Sequence, residues 1–97
     1  MSQQGEQRVA VLGAVRTPIG AFNGAFQNLS AVQLGTTAIK ETLKRRQLTA
    51  LQVDEVILGQ VFTAGCGMNP ARQAAVHAGI PYHVPATTVN MVCGSGL

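Results

Sequence analysis

The sequence predicts an α/β fold built around a parallel sheet. Two apolar runs rich in β-branched residues, Arg8 to Val15 and Glu55 to Val61, have the composition of strands buried on both faces. Helical segments separate them from each other and from a third run, Thr87 to Val92, so the predicted order is βαβαβ. Such a sheet needs helices on both faces, and two helices are too few, so we expect this portion of the fold to be incomplete.

Both predicted helices begin at residues that cap helices well. Ser30 and the glutamine three residues after it have the spacing of a capping box, and an apolar stripe at helical spacing follows up to about Gln47. Asn69 can cap the second helix, with Pro70 at its first position. We expect that helix to end near Ala78, before a glycine and a proline.

Composition limits the classes of function. The chain has 97 residues and a net charge of +3, and four of its seven cations, Lys40, Lys44, Arg45 and Arg46, lie on one short segment. Because aromatic residues are scarce there, this segment resembles a solvated helix end more than a nucleic-acid surface. Binding of an anionic group, such as the phosphate of a ligand, is the alternative that charge alone leaves open.

The two cysteines and the apolar runs bear on location. Cys66 and Cys93 have no C-x-x-C spacing and are too few for a disulfide framework, which favours a reducing compartment and gives no reason to expect a metal site. The start of the chain is polar, and the longest apolar run is too short to span a membrane. We therefore expect a cytoplasmic protein without membrane or nucleic-acid partners.

Cys93 is the candidate nucleophile. It follows the third predicted strand and precedes what resembles the first turn of another helix, where backbone N–H groups and the helix dipole favour a thiolate. Gly94 and Gly96 leave its sulfur uncovered, and the Cys93 amide could contribute to an oxyanion hole. From these residues alone, a buried and inert cysteine remains the competing interpretation.

Four motifs in order point to a family. Val92 to Leu97 resembles the acyl-accepting cysteine motif of thiolases, and Arg16 to Gly20, Gly59 to Val61 and Asn69 to Ala74 resemble the thiolase landmarks that precede it. The likeness extends from about Val9 to the last residue. It implies a thiolase-like fold in which residues 1–97 form the first part of the N-terminal domain, with the remainder of that domain and the C-terminal domain absent.

The loops suggest a branch of the family. Gly65 to Gly67 and Phe22 to Gly24 most resemble the biosynthetic acetoacetyl-CoA thiolases. Met68 stands where that branch is expected to have glutamine, so a broader 3-ketoacyl-CoA thiolase of fatty acid degradation stays open.

The resemblance also implies a reaction. Two acetyl-CoA would condense to acetoacetyl-CoA and CoA, or the reverse thiolysis would occur, through an acyl group on Cys93. The family's catalytic histidine and second cysteine belong to the C-terminal half, so this chain alone is expected to be inactive. CoA thioesters are the implied substrates, no permanently bound cofactor is expected, and the complete enzyme would be a homodimer or homotetramer. The alternative of another class is a non-catalytic fragment that acts only as an interaction partner.

Other candidate residues have simpler interpretations. Cys66 matches no catalytic motif of the family and is interpreted as structural. His77 and His83 have neither a metal-binding spacing nor the family's histidine motif, so we expect them to face solvent or to form local hydrogen bonds. For Arg16 and Arg72, hydrogen bonding that shapes a loop is favoured over contact with a ligand.

Two further motif interpretations fail on spacing. Gly13 follows a predicted strand as in a dinucleotide-binding fingerprint, but the next glycines of that fingerprint are missing. Cys93 to Ser95 resembles the papain cysteine, but Gly96 and Leu97 stand where that signature has cysteine and an aromatic residue.

Overall fold

A computed structural model describes residues 5–97. Its regular elements alternate between helix and strand, with a short 3-10 helix after the first α-helix and another after the second strand. In chain order they are α1 (Ala31–Arg45), the 3-10 turn Ala50–Gln52, β1 (Val56–Gly59), α2 (Pro70–His77), β2 (Ala86–Val89) and the 3-10 turn Val92–Gly94.

β1 and β2 form a parallel pair, with Val56 opposite Ala86 and Gly59 opposite Val89. The ladder continues one residue beyond β1, where the Gln60 amide donates to the Val89 carbonyl over 3.0 Å. Because the two strands are parallel, their carboxyl ends lie at the same edge of the sheet, and α2 connects the strands and packs against both. This arrangement confirms the predicted α/β class.

A small apolar core joins the sheet to the helices. Its buried members are Val56 on β1, Ala75 on α2, and Ile80 and Val84 in the connection from α2 to β2. Ile39 and Leu43 of α1 cover this cluster, among other partly buried side chains. The core therefore lies beneath α1 and α2, on the side of the sheet that these helices cover. None of the helices among residues 5–97 is long and apolar enough to cross a membrane.

The predicted strand Arg8 to Val15 is not observed. Val9 and Val11 are 95% and 92% exposed, and within the described residues no strand pairs with the segment. A strand is stabilised by hydrogen bonds to a neighbour, and β-branched composition cannot replace that neighbour. The other two predicted strands form but are shorter, and Val92 belongs to the turn after β2 instead of to the strand.

The helix caps are as predicted. The Gln33 amide donates to the Ser30 hydroxyl over 3.1 Å, and the Ser30 amide donates to the Gln33 side chain over 2.7 Å, which completes the capping box. At α2, the Asn69 carboxamide oxygen accepts from the Arg72 amide over 3.2 Å. α1 ends at Arg45, two residues before the predicted end, and Gln47 then adopts a left-handed conformation with φ 54°.

Candidate active site

Cys93 lies in a turn at the carboxyl edge of the sheet. Residues 90–97, here called the Cys93 turn, follow β2 directly and contain the 3-10 helix Val92–Gly94. The Cys93 side chain is exposed and forms no disulfide. Among residues 5–97, Cys93 is therefore not buried as the competing interpretation expected.

Two polar side chains brace the Cys93 turn. The side-chain nitrogen of Asn90 donates to the Val61 carbonyl over 3.0 Å, and its side-chain oxygen accepts from the Val92 backbone amide over 2.9 Å. The Ser95 hydroxyl accepts from the Met91 amide and donates to the Val92 carbonyl, both over 2.8 Å. The first contact of Asn90 ties the turn to the segment after β1, and the remaining bonds fix the backbone immediately before Cys93.

Val92 has an unusual backbone conformation. Its φ is 51°, in the left-handed region, where a β-branched residue is rarely found. Such a conformation costs about 1–3 kcal/mol and persists only where the surroundings enforce it. Since Val92 immediately precedes Cys93, this conformation sets the direction in which the chain presents the cysteine.

The hydrogen bonds of the turn leave the Cys93 amide available. The Met91 and Val92 amides donate to the Ser95 and Asn90 side chains, and the Gly94 and Ser95 amides donate to backbone carbonyls. The Cys93 amide donates no hydrogen bond to any residue in the range 5–97. A free N–H beside an exposed sulfur can donate to the oxyanion that forms on a carbonyl oxygen when a sulfur attacks the carbonyl carbon.

Gly59 allows the turn to approach β1. A Cβ added at Gly59 would overlap the Ser95 carbonyl oxygen and lie 2.5 Å from its carbon. Any larger residue would therefore push the turn away from the end of β1. This close approach gives a physical reason for glycine in the motif Gly59 to Val61.

The four sequence motifs contribute to one groove. It lies between α1, α2 and β1, has a volume of about 520 Å³ and is lined mainly by apolar side chains. Thr17, Gly59 and Gly96 line it together with Pro70 and Ala71, so each motif supplies at least one residue. Motifs separated along the chain are thus brought together beside the Cys93 turn.

The residues to which the sequence analysis gave no catalytic role are exposed or form local hydrogen bonds. His77 and His83 are exposed, and the residues described include no cluster of metal-binding side chains. Arg72 donates to the Tyr82 carbonyl over 3.3 Å, and Arg16 donates to the Thr17 carbonyl over 3.2 Å, so both form the local hydrogen bonds that were expected. Cys66 is half-buried in the loop before α2, where its sulfur accepts from the Gln60 side chain over 3.3 Å.

Sequence reasoning missed Asn90 and gave Ser95 no role. The signal was present, because a polar asparagine directly after an apolar strand ends the ladder and can hydrogen-bond to backbone groups nearby. Sequence could not show that its partner would be Val61, which is 29 residues away along the chain.

The fold and the turn define an α/β protein that presents an exposed cysteine at the carboxyl end of a parallel strand. The chain belongs to the thiolase family: residues 9–97 match the model described as thiolase, N-terminal domain. It is 55% identical over 93 residues to the cytosolic acetyl-CoA acetyltransferase of Rattus norvegicus, covering 96% of this chain and 23% of that protein.

Two further relatives agree. An acetyl-CoA acetyltransferase sequence from Clostridioides difficile is 54% identical over 91 residues, which are 94% of this chain and 85% of that sequence. The crystal structure of Acat5 thiolase from Ascaris suum in complex with coenzyme A superposes with a TM-score of 0.85 at 44% identity, covering 87% of this chain and 22% of that one. The chain therefore spans less than a quarter of the length of the rat relative, and its thiolase-like fold is confirmed.

Proposed function

We propose that this chain is the first part of the N-terminal domain of an acyltransferase, and that Cys93 is the residue that becomes acylated. The observation that supports this most directly is the exposed Cys93 sulfur beside an amide that donates no hydrogen bond within residues 5–97. In the proposed reaction the Cys93 thiolate attacks the carbonyl carbon of acetyl-CoA, and CoA leaves as its thiolate. The Cys93 amide would donate to the oxygen that becomes negatively charged.

The second half of the proposed reaction needs groups outside this chain. A second acetyl-CoA loses a proton from its methyl carbon, and the resulting carbanion attacks the acyl-Cys93 thioester to give acetoacetyl-CoA and free the sulfur. Among residues 5–97, the hydrogen bonds of the Cys93 turn involve backbone groups and the side chains of Asn90 and Ser95, none of which is an acid or base. The proton-transfer residues are therefore assigned to the part of the enzyme beyond these 97 residues.

Acetyl-CoA is the proposed substrate because the rat relative is named an acetyl-CoA acetyltransferase and the Ascaris structure holds coenzyme A. The broader alternative is a 3-ketoacyl-CoA thiolase, and a relative in Staphylococcus epidermidis is named a probable acetyl-CoA acyltransferase. Turnover of acetoacetyl-CoA compared with longer 3-ketoacyl-CoA substrates distinguishes the two. We also propose that the complete enzyme is a cytoplasmic homo-oligomer that holds no cofactor permanently; the rat relative is named cytosolic.

The test is acetyl trapping. Full-length enzyme containing this chain is incubated with radiolabelled acetyl-CoA, and the labelled peptide is identified by mass spectrometry. We expect one acetyl group per chain on Cys93, and Cys93→Ser should lower turnover by at least about a thousandfold because a hydroxyl is a far weaker nucleophile than a thiolate.

Cys66→Ser is the matched control, because Cys66 lies in a loop where its sulfur contacts Gln60 and the Ala64 carbonyl. It should keep the label on Cys93. Label on Cys66, or full turnover by Cys93→Ser, would show that Cys93 is not the nucleophile. A protein that takes up no acetyl group would favour a non-catalytic role in binding other chains.

A further inference from the structure

We propose that Asn90 and Ser95 are positioning residues, which hold Val92 in its left-handed conformation and thereby fix where Cys93 presents its sulfur. The chemical consequence rests on the proposed function of Cys93. The geometric part, that these two side chains control the cysteine, can be tested without any acyl transfer.

Ser95 closes the turn across Cys93. Its hydroxyl accepts from the Met91 amide and donates to the Val92 carbonyl, each over 2.8 Å. These two groups belong to the peptide units on either side of the Met91–Val92 pair, so the hydroxyl restrains both ends of it. Its own backbone amide also donates to the Val92 carbonyl, over 3.1 Å.

Asn90 holds the same segment from the other side. Its carboxamide oxygen accepts from the Val92 amide over 2.9 Å, so both the amide and the carbonyl of Val92 are bonded to a bracing side chain. Its carboxamide nitrogen donates to the Val61 carbonyl over 3.0 Å. The turn is thereby anchored to the segment that follows β1, a fixed point outside the turn itself.

These hydrogen bonds hold Val92 in a strained backbone conformation. A free valine would leave φ 51° for the extended or right-handed regions, where its branched Cβ is not crowded. That rotation would turn the following residue, Cys93, relative to the end of β2. The strained φ of Val92 and the hydrogen bonds to its amide and carbonyl are separate observations. Both support the proposal that Asn90 and Ser95 control the position of the Cys93 sulfur.

The first experiment measures the rate constant for iodoacetamide alkylation of each cysteine in the full-length protein, by peptide mass spectrometry. Cys66 is the internal reference. Ser95→Ala and Asn90→Ala should each slow alkylation of Cys93 about tenfold relative to Cys66, the rate equivalent of about 1.4 kcal/mol. Ser95→Thr keeps the hydroxyl and should restore the rate to within about twofold of the unsubstituted protein.

A second experiment tests the link to Val92. Glycine adopts the left-handed region readily, so in a Val92→Gly background the turn no longer depends on the two side chains to resist strain. Adding Ser95→Ala to Val92→Gly should then change the Cys93 rate constant by less than about twofold. The double-mutant cycle separates this effect from a general loosening of the fold, which would affect Cys93 in either background.

The outcomes are distinct. A Cys93 rate that stays unchanged or rises in Ser95→Ala overturns the proposal, as does a parallel change at both cysteines or a tenfold effect that persists with Val92→Gly. Acetyl trapping on the same proteins tests the proposed function separately. If the unsubstituted protein takes up no acetyl group but Cys93 alkylation still depends on Ser95, the positioning role stands and the acyltransferase proposal fails.

Discussion

Two similar apolar segments, one in each half of the molecule, adopt different structures. Val9 to Val15 in the first half is continuous and β-branched, yet Val9 and Val11 are almost fully exposed and no strand forms there. Val56 to Gly59 in the second half has comparable composition, and it pairs with β2 and buries Val56 to 7% exposure. The difference lies in what surrounds each run and not in the run itself.

The second half shows what a strand needs. β1 has a parallel neighbour in β2, a covering helix in α2 and a core that includes Ile80 and Val84. Within residues 5–97 the segment 9–15 pairs with no strand. Apolar, β-branched composition therefore favours a strand, but the strand forms only where a partner strand is in position to pair with it.

The largest expected effect is at Gly59, where the second half is packed most closely. Gly59→Ala should destabilise the protein by about 3 kcal/mol and displace the Cys93 turn, because its Cβ would overlap the Ser95 carbonyl group. Denaturant unfolding and Cys93 alkylation measure the two consequences. Gly96→Ala is the matched control in the same turn, since a Cβ there meets no atom within 4 Å, and its free energy of unfolding should change by less than about 0.5 kcal/mol.

Equal losses of stability for Gly59→Ala and Gly96→Ala would contradict this close approach. They would mean that the turn tolerates displacement from the end of β1, and the first and second halves would then differ less in packing than the structure indicates.

The next prediction makes one chemical change in both halves. Val84 is 2% exposed and Val11 is 92% exposed. Val84→Ala should lower the free energy of unfolding by about 2 kcal/mol, through lost burial and the cavity left behind. Val11→Ala should change it by less than about 0.5 kcal/mol. Denaturant unfolding of the 97-residue chain measures both, and comparable losses would show that the segment 9–15 is packed.

Much of the fold could be predicted from the sequence because its signals are local. Ser30 and Asn69 cap the helices where expected, since a capping bond joins residues only three apart. β1 and β2 were predicted from composition and confirmed with shorter bounds. The prediction of the first strand was wrong because pairing depends on residues far away in the sequence. No pattern within Arg8 to Val15 shows whether a neighbouring strand is present.

The site follows the same rule. Cys93 could be proposed from its position between a strand and a turn and from the glycines after it. The bond from Asn90 to Val61 and the contact of Ser95 with Gly59 could not, because they join parts of the chain that only the sheet brings together. The left-handed Val92 has no sequence signal at all, since valine is among the residues least expected there.

The smallest expected effect concerns the ends of the two helices, which share one geometry but differ in residue. After α2, Gly79 is left-handed, and the Ile80 amide donates to the Ala75 carbonyl over 2.9 Å. After α1, Gln47 occupies the equivalent position, and the Leu48 amide donates to the Leu43 carbonyl over the same 2.9 Å. Both are Schellman motifs, in which glycine is the usual left-handed residue.

Gln47→Gly should therefore stabilise the protein by about 0.5 to 1 kcal/mol. Relief of the left-handed strain, about 1–2 kcal/mol for a residue with a Cβ, exceeds the extra freedom that glycine gives the unfolded chain. The midpoint of denaturant unfolding at unchanged m-value measures the gain. Gln47→Ala is the control, because it removes the side chain and keeps the Cβ; if it stabilised the protein as much as glycine, the gain would come from the loss of the glutamine side chain and not from its backbone conformation.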